Sequence, residues 1–225
     1  MGETPGAHPT VLERSFFERD ALEVAPSLLG KLLVKGDLWG RIVEVEAYRG
    51  SSDPASHAYK GMTKRNATMF GPAGHLYVYF TYGMHWCANI VCAPQGIAQA
   101  VLLRAISPLK GIEEMRQARG GKQVPDHEIG SGPAKLCQAL GIDGTFDGID
   151  LVSKERGVTV DDDGFLPSEL GQGVRIGIRD GQEYEWRWWI AGDPNVSRFS
   201  NPRPSGTRSK VSRKQVQSKF KTSPK

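Results

Sequence analysis

Polar and apolar residues alternate most clearly in Arg41-Ile42-Val43-Glu44-Val45-Glu46-Ala47-Tyr48, the two-residue period of a half-buried strand. Leu32 to Lys35 precedes it across Gly36-Asp37, so the pair reads as a β-hairpin. Leu76 to Tyr82, a turn at Gly83 and His85 to Ala93 give a second hairpin, and Ala100 to Ile106 a further strand. Gly173 to Ile178 and Glu185 to Ala191 read as late strands. Helical signals are fewer. Ala25 to Leu29 reads as a short helix with Pro26 in its first turn, and Pro108 to Arg119 as one with Pro108 in its first turn and Gly120-Gly121 beyond its end. Pro133 to Leu140 is closed by Gly141. Short turns join neighbouring strands, which predicts an α+β fold: a single domain on a mostly antiparallel, curved β-sheet with a few flanking helices. The expected boundaries are a flexible lead-in over 1–13, a folded domain over 14–197 and a disordered basic tail over 198–225.

Composition narrows the class. With 39% hydrophobic and 24% charged residues in 225, the chain is neither collagen-like nor wholly disordered. No apolar run reaches the roughly 18 residues of a membrane span, and Met1 to Arg14 lacks a signal-peptide core. Three cysteines, Cys87, Cys92 and Cys137, are too few for a disulfide framework and fit a reducing cytoplasm. The net charge of +4 is unevenly placed. Nine of the 29 basic residues and none of the 25 acidic ones fall in 198–225, which leaves residues 1–197 with 20 against 25 and a balance of −5. The basicity therefore belongs to the tail, and the total alone locates no nucleic-acid face.

Strand alternation puts Val43, Val45 and Ala47 on one face and Ile42, Glu44, Glu46 and Tyr48 on the other, with the two carboxylates about 7 Å apart at ~3.3 Å per residue. That face is either solvated or holds a carboxylate that activates water beside an aromatic platform. His57 lies in a polar loop with no second ligand at zinc spacing. Cys87 and Cys92 read as packing residues. Thr63-Lys64-Arg65-Asn66 is a short basic cluster that suits either solvent or phosphates. Tyr77 and Tyr79 share one strand face, opposite Leu76, Val78 and Phe80, and Tyr82 stands at a hairpin tip beside Gly83. An aromatic at a tip either folds back on its sheet or serves as a wedge or stacking surface for a base. Asn89 and Arg104 interrupt strongly apolar strands, so each needs partners, in the core or in a pocket.

These residues, in this order, resemble the alkyladenine (3-methyladenine) DNA glycosylase family: Glu44-Val45-Glu46-Ala47-Tyr48, His57, Tyr77-Val78-Tyr79 through Tyr82-Gly83-Met84, and Leu103-Arg104-Ala105. Gly132-Pro133-Ala134-Lys135-Leu136 and Arg175-Ile176-Gly177-Ile178 also match, and the likeness covers about residues 12–197. The resemblance implies a monofunctional base-excision enzyme that flips alkylated purines from double-stranded DNA, acts as a monomer and uses no cofactor or metal. It implies that Glu46 deprotonates water, that Arg104 orients the water and the backbone, and that Tyr48, His57 and Tyr79 stack the base. Asn89 would reject the 2-amino group of guanine, and Tyr82 would fill the vacated stack. Thr63, Lys64, Arg65 and Lys135 would contact the DNA backbone. Met62 and Lys64 depart from the family's usual basic residue and proline in that loop. The rival class is a non-catalytic nucleic-acid-binding domain of the same fold, which would have no need for a carboxylate, Glu46, facing a negatively charged ligand.

Overall fold

The computed structural model describes residues 9–197. Nine strands form one sheet: β1 (Thr10–Val11), β2 (Leu32–Lys35), β3 (Leu38–Tyr48), β4 (Leu76–Thr81), β5 (His85–Cys92), β6 (Gln99–Lys110), β7 (Val158–Asp162), β8 (Leu170–Gly173) and β9 (Arg187–Ile190). Their order is β1-β7-β2-β3-β6-β5-β4, and β9 joins β3 and carries β8. Every pairing among these strands is antiparallel, and the sheet curls, as expected for the α+β class.

Strand β3 is the axis of the fold. Leu38 to Arg41 pair with β2, but Glu44 to Glu46 pair with β9, while the other edge runs along β6 throughout. The partner changes at a β-bulge between Ile42 and Glu44. A bulge adds a residue and disturbs the alternation. Ile42 therefore joins Val43, Val45 and Ala47 in the main core instead of the carboxylate face, a correction to simple two-residue counting.

The helices are short: α1 (Arg14–Phe17), α2 (Ala21–Leu28), α3 (Ile112–Ala118), α4 (Asp126–Ile129) and α5 (Pro133–Leu140). The Asp20 carboxylate caps α2 by accepting the Leu22 N–H at 2.9 Å. Ala21, Val24, Ala25 and Leu28 form its buried stripe. Pro26 thus lies in the last turn of a helix that starts five residues earlier, not in the first. Pro108 lies in the far end of β6, and the helix after it begins at Ile112. The stretch after Gly173 is irregular, so the strand expected over 173–178 is displaced to β8. Within the expected lead-in, Thr10–Val11 pair with β7. The tail over 198–225 lies outside the described residues. No helix among the described residues is long and apolar enough to cross a membrane.

Two apolar clusters result. The larger fills the space between the sheet and helices α2 and α5. The smaller, of Ala58, Met69, Tyr77, Val91, Ala98 and Ala100, sits on the opposite side of β4 and β5 and supports the site.

Candidate active site

A cavity of about 380 Å³ opens where β3, β4, β5 and β6 meet the loops after β3 and β8. Tyr48, His57, Tyr79, Asn89 and Arg104 all line it, and Tyr82 stands at its edge. The His57 and Tyr79 rings meet edge to face at 4.5 Å between centroids. Tyr77 turns the same way as Tyr79, and its hydroxyl lies 3.0 Å from His57 Nδ1. That contact fixes the imidazole and leaves Nε2 without a partner among the described residues. Tyr77 lines the cavity as well, a placement the sequence did not assign to it. Its placement on the Tyr79 face was the available signal.

The aromatic part of the lining is neutral at physiological pH. Burial, reinforced by the Arg65 guanidinium, holds the His57 pKa below its usual value. Burial pushes the Tyr77 hydroxyl up to about 12, and raises Tyr79 and Tyr48 further. Asn89 is buried and donates Nδ2 to the Tyr77 carbonyl at 3.1 Å. Cys87 is not a simple packing residue. It faces the cavity beside Tyr79, whereas Cys92 and Cys137 are in the core.

Behind these walls lie the two carboxylates, both 0% exposed. Glu46 Oε1 accepts the Ile176 N–H at 2.7 Å, and Arg104 Nη1 stands 3.2 Å from it. Its Oε2 accepts the Tyr48 hydroxyl at 2.9 Å. Desolvation outweighs these contacts and raises the Glu46 pKa. Glu46 has no accessible surface of its own; Tyr48, Arg104 and Ile176, its three partners, form the cavity floor in front of it. Glu44 accepts from Arg104 Nε at 2.9 Å, Arg187 Nη1 at 3.1 Å, and the Ser197 hydroxyl and N–H at 2.9 and 2.8 Å. Burial alone would lower the Arg104 pKa, but Glu46 and Glu44 together raise it, so it stays a cation. With 6% exposure, Arg104 is committed to these carboxylates.

A second buried ion pair braces the site. Arg175 and Asp53, both 0% exposed at their side chains, meet through two bonds of 2.5 and 2.8 Å. In the sequence, Arg175 stands only within the matching run Arg175-Ile176-Gly177-Ile178, without a role, and Asp53 has none. An arginine abutting an apolar Ile-Gly-Ile run, needing a buried partner, was the signal.

The rim is different in kind. Thr63, Lys64 and Arg65 are exposed. Beneath them Asn66 is buried, accepting the Thr63 N–H at 2.6 Å and donating to the His57 and Gly61 carbonyls at 2.9 and 3.0 Å. Arg65 lies 5.4 Å from the Tyr79 ring centre. Lys135 is not at this cavity. It lines a neighbouring one of about 260 Å³ that shares Arg104, and it contacts Glu128 at 3.4 Å and Ser131 at 3.3 Å. Tyr82 is 83% exposed with φ 51°, followed by Gly83 at φ 69°. Glycine adopts that backbone freely; tyrosine does so at a cost of about 1–3 kcal/mol.

Residues 15–194 match the family model described as methylpurine-DNA glycosylase. A protein of Burkholderia lata, named "Putative 3-methyladenine DNA glycosylase", is 55% identical over 195 residues, 86% of this chain and 92% of that one. Proteins with the same name from Agrobacterium fabrum and Streptomyces avermitilis are 48% and 47% identical, each over 84% of this chain and 93% and 92% of their own. A match over most of the length, at such identity, leaves one assignment: the chain belongs to the methylpurine-DNA glycosylase family.

Proposed function

We propose that this chain is a monofunctional glycosylase that excises alkylated purines, 3-methyladenine foremost, from double-stranded DNA as a monomer. The observation that carries the reading is Glu46, a wholly buried carboxylate directly behind an aromatic cavity of base size. A module that merely bound a polyanion would gain nothing from it.

The chemistry asked of the protein is modest. A purine alkylated at N3 or N7 is cationic, and the neutral faces of Tyr48 and Tyr79 attract it. The ionised Glu46 takes a proton from a water as that water's oxygen bonds to C1′ of the deoxyribose. The C1′–N9 bond breaks, and its electron pair neutralises the departing base. A carboxylate offers about four acceptor positions. Three are occupied here; the fourth, on Oε2, is the one proposed for the water, which reaches it once the floor formed by Tyr48, Arg104 and Ile176 shifts. A pKa raised by burial makes Glu46 a stronger base than a solvated carboxylate. The negative charges of Glu44 and Glu46 lie near the sugar, where positive charge develops in the transition state.

Tyr82 fills the stack the flipped nucleotide leaves; its exposure and its position at a tight turn suit a wedge. Asn89, pinned by its bond to the Tyr77 carbonyl, blocks the 2-amino group of undamaged guanine. Thr63, Lys64 and Arg65 contact phosphates on one side of the cavity and Lys135 on the other. Arg104 orients the water.

The test is product analysis on methylated duplex DNA, with inosine- and ethenoadenine-containing duplexes as further arms. Free methylated base and an uncut abasic strand are expected. Binding without base release would favour the non-catalytic reading, and strand scission would contradict water as the nucleophile. Release of hypoxanthine or ethenoadenine would extend the substrate range to neutral leaving groups.

A further inference from the structure

The Asp53–Arg175 pair lies behind Tyr48, away from the cavity. Its contacts go to three separate segments that build the site. Arg175 Nη1 donates to the Ala47 carbonyl at 3.0 Å, between Glu46 and Tyr48 on β3. Its guanidinium stacks 4.7 Å from the Tyr48 ring centre and 5.0 Å from that of Trp186, which itself stacks on Tyr184 at 4.2 Å. Asp53 accepts the Arg49 and Ala55 N–H groups at 3.2 and 3.0 Å, pinning the loop that leads to His57. The residue after Arg175 is Ile176, whose N–H meets Glu46 at 2.7 Å. Gly181 packs so closely that a Cβ there would stand 2.8 Å from Arg175 Nη2.

A buried ion pair contributes little net stability over apolar residues of the same size, whereas its geometry is strongly directional. We infer that Asp53 and Arg175 are positioning residues for base excision, holding the Tyr48 ring, the His57 loop and the Ile176 N–H in register with Glu46. The inference rests on Glu46 being the base.

Groups that face Glu46 besides Ile176 are Arg104 on β6, Cys87 on β5 and Tyr79 on β4, with Glu44 and Tyr48 on its own strand; the Arg175 charge also acts on it directly, and a lysine there preserves that charge. Arg187 on β9 is engaged by Glu44. Only the Ile176 N–H and the Tyr48 hydroxyl depend on Arg175. An Arg175→Lys variant keeps the charge but cannot hold Asp53 through two parallel bonds or cover Tyr48.

The experiment measures single-turnover release of methylated base across pH for the full chain, Arg175→Lys, Gly181→Ala and Glu46→Gln, with circular dichroism and binding to undamaged duplex alongside. Arg175→Lys is expected to slow release about 100-fold, the scale of a small misplacement of reacting groups. It should also move the acid limb of the profile up by about one pH unit, as a carboxylate does on losing an N–H partner. Binding of undamaged duplex stays unchanged. Gly181→Ala pushes on the same guanidinium and, at φ 71°, also strains its own turn; with its circular dichroism native it should shift both quantities the same way by less, which decides the matter if Arg175→Lys does not fold. A wild-type rate and acid limb in folded Arg175→Lys, or in Gly181→Ala should Arg175→Lys not fold, would overturn the positioning role while leaving Glu46 in place. An active Glu46→Gln would instead overturn the reading on which it rests.

Discussion

Glu44 and Glu46 stand two residues apart on β3, both fully buried and both within reach of Arg104, yet their surroundings differ. Glu44 touches two cations and both donors of Ser197, so its acceptor positions are filled by partners from β6, β9 and the end of the described chain. Glu46 shares one cation at longer range and leans on a phenol and one backbone N–H, three donors against the four of Glu44. Two identical side chains thus divide into a fully partnered hub and a carboxylate with fewer partners, the one proposed as the base. The number and charge of their partners, not burial, makes the division.

The sharpest way to break this comparison is to neutralise each in turn. Glu46→Gln should lower the single-turnover rate by about 10²–10⁴-fold, the usual weight of a general base. Its melting temperature at pH 7 should be no lower than wild type. Because the folded-state pKa of Glu46 is raised, its contribution to stability is present below the unfolded value and lost as pH rises through the folded one. Removing the charge relieves that loss, and the advantage should vanish in acid. Glu44→Gln should do the opposite, costing about 3–5 kcal/mol by leaving Arg104 and Arg187 short of charge. Thermal melts of the two variants from pH 4 to 8 check both statements.

Smaller effects should appear farther from the pair. Tyr48→Phe removes the hydroxyl that donates to Glu46, so the acid limb of the rate profile should rise by about one pH unit while stacking persists. Tyr82→Asn places a residue tolerant of positive φ in the hairpin turn and should stabilise the fold by about 1 kcal/mol while weakening excision. Melting and single-turnover assays on one preparation test that trade. Lys64→Ala should leave the chemical step intact and reduce the slope of log binding constant against log salt by about 1, measured on undamaged duplex.

Much of the frame was legible in local sequence. The β2–β3 and β4–β5 hairpins and helix α5 carry their own turn and cap residues; alternation groups Glu46 with Tyr48 and Tyr79 with Tyr77, and Asn89 stands out in an apolar strand, but their gathering into one site is implied by the family resemblance. What could not be read depends on distant pairing. Strand β7 ends in two aspartates and owes its place to β1 and β2. Pro108 resembles a helix start, but it lies past an irregularity in the β3–β6 pairing, where a missing N–H is tolerated. The bulge that moves Ile42 into the core has no local mark. Asp53 and Arg175 meet across 122 positions, so neither loop announces the other.

The central claim is that Glu46 supplies the base while Glu44 supplies the frame. Single-turnover release of methylated base from alkylated duplex by Glu46→Gln, at enzyme concentrations saturating for binding, tests it most directly. The account predicts wild-type affinity for the damaged duplex, an unchanged circular dichroism spectrum and release slowed by at least about 100-fold. A folded Glu46→Gln protein that released base at the wild-type rate would contradict it.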